Sequence, residues 1–171
     1  MSAVPLVRQL ATSHVSSFQI LQAPNQVKQL GHFFKVLTLL WVNEEFVGDF
    51  TIYLHQLVPM MNKLFGVDAS QLKLMPGGRT EIMKLFHILK GIIRGLVTNR
   101  TFKLFFDWFY PQFFSPIVEG ALNAFHEDDQ VVQCVLKFLT ELVFNRNNRL
   151  RFDTWSIDGL IVFKETAKIV V

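Results

Sequence analysis

The chain has 171 residues, half of them apolar and 18 of them Phe, with 18% charged and a formal net charge of +3. That length suffices for one domain with a real core. The charged share falls below the roughly 25% of an ordinary soluble chain, so part of the apolar surface expects a neighbour. An excess of +3 over 14 acids argues against the clustered basic face of a dedicated nucleic-acid binder, and no direct nucleic-acid partner is expected. The single cysteine, Cys134, excludes an internal disulfide framework and suits a reducing compartment.

In chain order, the N-terminal stretch lacks a secretory pattern: Arg8 is followed by the polar run from Gln9 to His14, with no apolar segment behind it. Lys35, Glu44, Asp49, Lys63, Asp107 and Glu119 interrupt the apolar stretches, so no window spans a membrane and no membrane partner is expected. These features predict a soluble, intracellular protein.

After Pro24-Asn25, the steps of three and four through Val27, Leu30, Phe34, Leu37 and Trp41 predict a helix over 25–42. The acidic turn Asn43-Glu44-Glu45 opens a second over 46–65, marked by Phe46, Phe50, Leu54, Leu57, Met61 and Leu64. Gly66 to Gly78, ending in Pro76-Gly77-Gly78, reads as the longest loop. A broad stripe from Ile82 to Val97 predicts a helix over 80–98, and the Phe-rich stripe from Phe102 to Phe114 one over 101–125. Pro59 and Pro111 lie inside the second and fourth helices; the stripe runs on through Pro111, which predicts a kink and not an end. Glu127-Asp128-Asp129 caps a helix over 129–145, the stretch from Arg146 to Gly159 is a polar connection, and a last helix starts near Leu160.

Long helices joined by short turns make antiparallel pairs. The predicted fold is all-α: HEAT/armadillo-like antiparallel helix pairs stacked as a right-handed α-α superhelix, one segment over 1–171 with pairs near 25–65, 80–125 and 129–171. The pair period of roughly 50 residues is close to that of HEAT and armadillo units. The helix over 129–145 is apolar on two faces, as a stacked helix must be. The ending Ile169-Val170-Val171 reads as a cut through something longer, with exposed apolar ends that favour concentration-dependent association.

Chemistry-bearing patterns are sparse. The chain has no HExxH, G-x-S-x-G, G-x-G-x-x-G or phosphate-binding P-loop, so no catalytic residue and no cofactor is assigned. The 5 histidines, His14, His32, His55, His87 and His126, share no metal-ligand spacing, and no metal is expected. Pro76-Gly77-Gly78-Arg79-Thr80 is either an anion cradle at a helix start or, more simply, a turn and a cap. His126-Glu127-Asp128-Asp129 is either a cation site or a helix-start acid cluster. Cys134 reads as a buried structural thiol, and Asn99-Arg100-Thr101 as an idle match to the glycosylation acceptor pattern. The Phe-rich stripe 102–114 is a peptide groove or, more economically, core. The most pointed polar feature is Asn145-Arg146-Asn147-Asn148-Arg149-Leu150-Arg151-Phe152-Asp153. Arg146, Arg149, Arg151 and Asp153 are candidate contacts for a partner; the competing reading is a structural cluster at a helix C-terminus or an internal ladder to Asp153, Asp158 or Glu165.

Three strings share one resemblance: Leu104-Phe105-Phe106-Asp107-Trp108-Phe109-Tyr110-Pro111; the run from Val135 to Val143 followed by Asn145-Arg146 and Arg149-Leu150-Arg151-Phe152-Asp153; and the run from Gly159 to Ile169. In this order and spacing they are similar to the exportin-seven type of karyopherin, also called the Ran-binding protein sixteen type, over residues from about 80 to the end. The stretch Thr154-Trp155-Ser156-Ile157-Asp158 departs from the family's more polar version. The resemblance implies an interior slice of a far longer receptor of the importin-beta superfamily. Such a receptor is not an enzyme. It wraps protein cargo and the GTP-bound form of the small GTPase Ran inside a superhelix, and carries cargo between nucleus and cytoplasm past the nucleoporins of the nuclear pore. Two rivals stand beside it: a HEAT-type protein-interaction scaffold without a transport role, and a small helical enzyme.

Overall fold

A computed structural model of the chain describes residues 27–42, 50–51, 54–152 and 158–170. These are helical apart from short connections, with no strand among the described residues. The elements are α1 (Val27–Trp41), α2 (Val58–Phe65), α3 (Ala69–Leu74), α4 (Gly78–Gly95), α5 (Asn99–Phe109), a π-helical turn (Tyr110–Phe114), α6 (Ser115–Phe125), α7 (Asp129–Val143), a 3-10 turn (Arg146–Asn148) and α8 (Asp158–Val170).

Helices α1, α4 and α7 form one layer. Gly31 meets His87 and Gly91, while Lys35 and Thr38 meet Gly95. Further along the layer, Arg79 reaches Asp128, His87 reaches Cys134 and Arg94 reaches Glu141. Residue numbers rise together on both sides of each junction, so the three helices run parallel. The second layer holds α2, α5–α6 and α8, with α2 against α6 and α8 beside α6 across a groove flanked by Glu119, Leu122, Glu165 and Ile169. Short connections at 96–98 and 126–128 return the chain between layers, which makes sequence neighbours antiparallel. The result is an all-helical repeat stack.

Helix α4 sits at the centre and is buried nearly all round, from Ile82, Leu85 and Phe86 through Ile88, Leu89, Ile92 and Ile93. Each such side chain contributes about 1.5–3 kcal/mol when removed from water. Even Lys84 is buried, with its ammonium held by Glu81 at 2.7 Å. The layers are locked together by rings: Phe138 of α7 lies 5.5 Å from Phe86 of α4 and 5.7 Å from Phe109 of α5, centroid to centroid. At the α1–α4 crossing the backbones themselves touch. A Cβ on Gly91 would overlap the Gly31 carbonyl, so only glycine fits there.

Two expectations change, at Gly66–Gly78 and at Pro59, while the helix runs on through Pro111 as expected. The segment Gly66–Gly78 is not a plain loop, because Asp68 accepts the Gln71 N–H at 2.8 Å and starts the short helix α3. Pro59 does not bend a helix. Residues 56–57 form a turn, and Pro59 enters in the first turn of α2, where its missing N–H is no loss. The rest of the predicted helix 46–65 falls partly on residues 46–49 and 52–53, outside the described residues. At Pro111 the helix neither ends nor breaks: α5 continues into α6 through the widened π turn, with helical angles at both joins. A proline ring presses on the carbonyl four residues back, and a turn with one extra residue gives it room.

Candidate functional site

The string Asn145–Phe152 builds a compact plug after the C-terminus of α7. Asn145 brackets it: its side-chain oxygen accepts the Leu150 N–H at 2.7 Å, and its amide donates to the Leu150 carbonyl at 3.2 Å. Between these, Asn147 and Asn148 take positive φ values of 55° and 53°. That left-handed region is one asparagine tolerates better than other residues carrying a side chain. The turn so made aims Arg149 into the protein.

Arg149 has no exposed surface. One terminal nitrogen donates to the carbonyls of Ile93 at 2.6 Å and Leu96 at 3.3 Å; the other donates to the Glu141 carbonyl at 2.6 Å. These carbonyls lie at the C-terminal ends of α4 and α7, where helices leave acceptors unpaired and carry partial negative charge. The guanidinium also lies 4.8 Å from the Phe102 ring centre of α5. Asn99, at the start of α5, donates to the Arg149 carbonyl at 2.6 Å. One side chain therefore ties the ends of two first-layer helices to the start of a second-layer helix. Burial pushes its pKa down to about 10, a cost that nearby Glu141 offsets in part, so it remains a cation at neutral pH.

Glu141 extends the cluster. Its carboxylate is buried and takes Arg94 at 2.6 Å on one oxygen and Arg146 at 3.1 Å on the other. Arg146 is half-buried and also lies 5.5 Å from the Phe144 ring centre. The internal ladder thus runs to Glu141 and to backbone carbonyls, while Glu165 pairs with Lys168 within α8. Of the candidate partner contacts, Arg149 is an interior residue, fully buried with its two terminal nitrogens on the ends of α4 and α7. Arg146 keeps part of its surface, Arg151 is exposed, and Asp153 lies outside the described residues. Around Arg146 and Arg151 the exposed rings of Phe144, Phe152 and Phe163 give the surface a mixed basic and aromatic character, with Phe152 and Phe163 at 5.7 Å.

The remaining motifs resolve into caps and pairs. Gly77, at φ 73°, makes the turn into α4, and Arg79 just inside it is taken by Asp128. Asp128 in turn accepts the N–H groups of Gln130 at 3.0 Å and Val131 at 3.2 Å as the cap of α7. The Arg79 guanidinium and these N–H groups hold its carboxyl below the usual carboxylate range. No group of three metal-ligating side chains converges among the described residues. Cys134 is half-buried, its Sγ 3.7 Å from His87 Nε2 across the α4–α7 junction, and burial pushes the thiol up. That neighbour is 47 residues away in sequence and carries no local signal. His32, His55 and His126 are exposed, and His14 lies outside the described residues. No described helix is long and apolar enough to cross a membrane.

No protein-family model matches the chain, and no solved structure does. Sequence relatives do. The chain is 26% identical to Exportin-7 of Dictyostelium discoideum over 167 residues, which is 97% of this chain and 16% of that protein. It is 34% identical to Exportin-7-B of Xenopus laevis over 92 residues, 54% of this chain and 8% of the relative. Ran-binding protein 17 of Homo sapiens is 34% identical over 82 residues, 48% of this chain and 7% of the relative. The chain is similar to proteins of the exportin-7/Ran-binding protein 16 type over half to nearly all of its length. The likeness reaches past the region from residue 80 onward, since 97% of the chain aligns with the Dictyostelium relative. The chain spans 16% or less of the length of these family members.

Proposed function

We propose that the chain is a protein-binding segment of a nuclear export receptor, taking part in the grip on protein cargo and on GTP-bound Ran during transport between nucleus and cytoplasm past the nucleoporins of the pore. The supporting observation is the alignment of 97% of the chain with a relative named Exportin-7, alongside others named Ran-binding protein. The stack supports it physically. Two parallel layers give an extended surface whose curvature and side chains select a partner without covalent chemistry. Arg146 and Arg151, with the rings around them, are the candidate contacts on this segment.

A binding assay with Ran tests the reading. A receptor carrying this segment retains Ran loaded with a GTP analogue and releases Ran loaded with GDP. Equal binding of the two forms, or stable partner complexes indifferent to nucleotide, overturns the transport reading in favour of a scaffold. Within such a receptor, Arg146→Glu together with Arg151→Glu weakens the complex about tenfold or more if these residues touch a partner of opposite charge.

A further inference from the structure

We propose that the α4–α7 junction is a one-sided hinge: an exposed ion-pair clasp holds its N-terminal edge and opens, while the Arg149 plug keeps its C-terminal edge shut. The two edges of this parallel pair are built from opposite materials. At the C-terminal edge Arg149 and Glu141 are buried, and the bonds of Arg149 to carbonyls are shielded from solvent, although the Glu141 partners Arg94 and Arg146 keep 40% and 38% of their side-chain surface. At the N-terminal edge Arg79 reaches Asp128 at 2.5 Å and Gln130 at 2.9 Å, with side-chain exposures of 43% for Arg79 and 25% for Asp128. Lys73 of α3 reaches Glu127 at 3.5 Å with both side chains more than half exposed.

Exposed pairs of this kind are worth at most about 1 kcal/mol, and salt screens them. A buried network loses several times that when one partner is removed. The packing differs in the same sense. A cleft of about 620 Å³ lies at the N-terminal edge, between Arg79, Phe125, Asp128 and Gln130. Both connections entering that edge are turns able to take up a rotation: residues 75–77, with Gly77 left-handed, and residues 126–128. Weak restraints, a gap and two turns sit together at one end of the junction. Opening there rotates the part of the stack from α7 onward about the plug.

Paired spin labels read both edges on the full chain in a Cys134→Ser background. Pro76→Cys with His126→Cys reports the N-terminal edge, and Arg100→Cys with Arg151→Cys the C-terminal edge; all four positions are exposed. Raising salt from about 0.05 M to about 1 M shortens the screening length to roughly 3 Å. The expected result is a longer, broader distance distribution for the first pair only. Asp128→Asn keeps the helix cap but loses the ion pair, and produces the same change at low salt. The open population rises by about fivefold, equivalent to ~1 kcal/mol. No change in the first pair under either treatment overturns the proposal. So does a change with salt but not with Asp128→Asn, or broadening of both pairs together.

Discussion

Replacing Arg149 by Met removes the charge and the fork but keeps much of the volume. Three carbonyls at the ends of α4 and α7 then lose a donor, and Glu141 loses a neighbouring cation. Hydrogen bonds to a charged group are worth about 1.5–3 kcal/mol each, but the three share one side chain and do not add. Breaking a buried charged cluster by removing one member costs about 3–5 kcal/mol, which is the loss expected here. With a urea dependence of about 2 kcal/mol per molar, the unfolding midpoint falls by roughly 2 M. Because total stability in such domains is only about 5–15 kcal/mol, Arg149→Lys provides a milder second measurement. Lysine keeps the charge but has no planar fork to span two helix ends, so it loses about half as much. Arg151→Ala, on the exposed neighbour, stays within about 0.5 kcal/mol of the parent. Equilibrium unfolding followed by circular dichroism supplies all three values. An Arg149→Met variant within about 1 kcal/mol of the parent, or an Arg149→Lys variant indistinguishable from it, refutes the argument that this side chain staples the two helices.

Gly91→Ala adds a methyl where the backbones of α1 and α4 touch; despite alanine's better helix propensity it destabilises by about 1–3 kcal/mol, measured by thermal unfolding. Asp128→Ala removes a cap and costs about 1 kcal/mol, while Asp128→Asn costs less because its oxygen still accepts the helix N–H groups. The folded Asp128 carboxyl titrates below its unfolded value, so its contribution is present above about pH 4 and is lost as pH falls through the lowered folded value. Stability measured against pH in that acid range becomes flatter in Asp128→Asn. Cys134, its thiol pushed up by burial, reacts with iodoacetamide more slowly at pH 8 than a free thiol and gains rate as pH rises beyond the ordinary thiol range. A rate equal to that of a free thiol at pH 8 removes the basis for treating it as a packed group.

Helical periodicity exposed α4, α5–α6 and α7 in the sequence because long, broadly apolar stripes leave one interpretation. The short α3 was hidden: Asp68 followed by Gln71 signals a cap, but Pro76-Gly77-Gly78 dominated the segment. Pro59 and Pro111 show how little a proline says alone. One begins a helix and the other rides through a widened turn, and the difference depends on whether the preceding turn continues. The arginine string was visible as a feature but not as a site. Three arginines within six residues look alike on paper, and only the Asn145 bracket and the left-handed pair behind it decide that Arg149 turns inward while Arg151 does not. The pairing of Gly31 with Gly91 was equally silent, since a glycine inside a helix declares its purpose only once the facing backbone is known.

Parallel stacking also gives the first layer an electrical direction. The peptide dipoles of α4 and α7 point the same way, so their positive ends share one edge and their negative ends the other. The side chains answer this: Glu81, Asp128 and Asp129 outnumber Arg79 at the starts of the helices, and Arg94, Arg146 and Arg149 outnumber Glu141 at their finishes. The second layer runs in reverse, and at each rim of the first layer the side-chain charge opposes the partial charge of the helix ends. The helix ends and the acids and arginines seated on them therefore attract each other at both rims, which ties the charge pattern of the first layer to the direction in which its helices run.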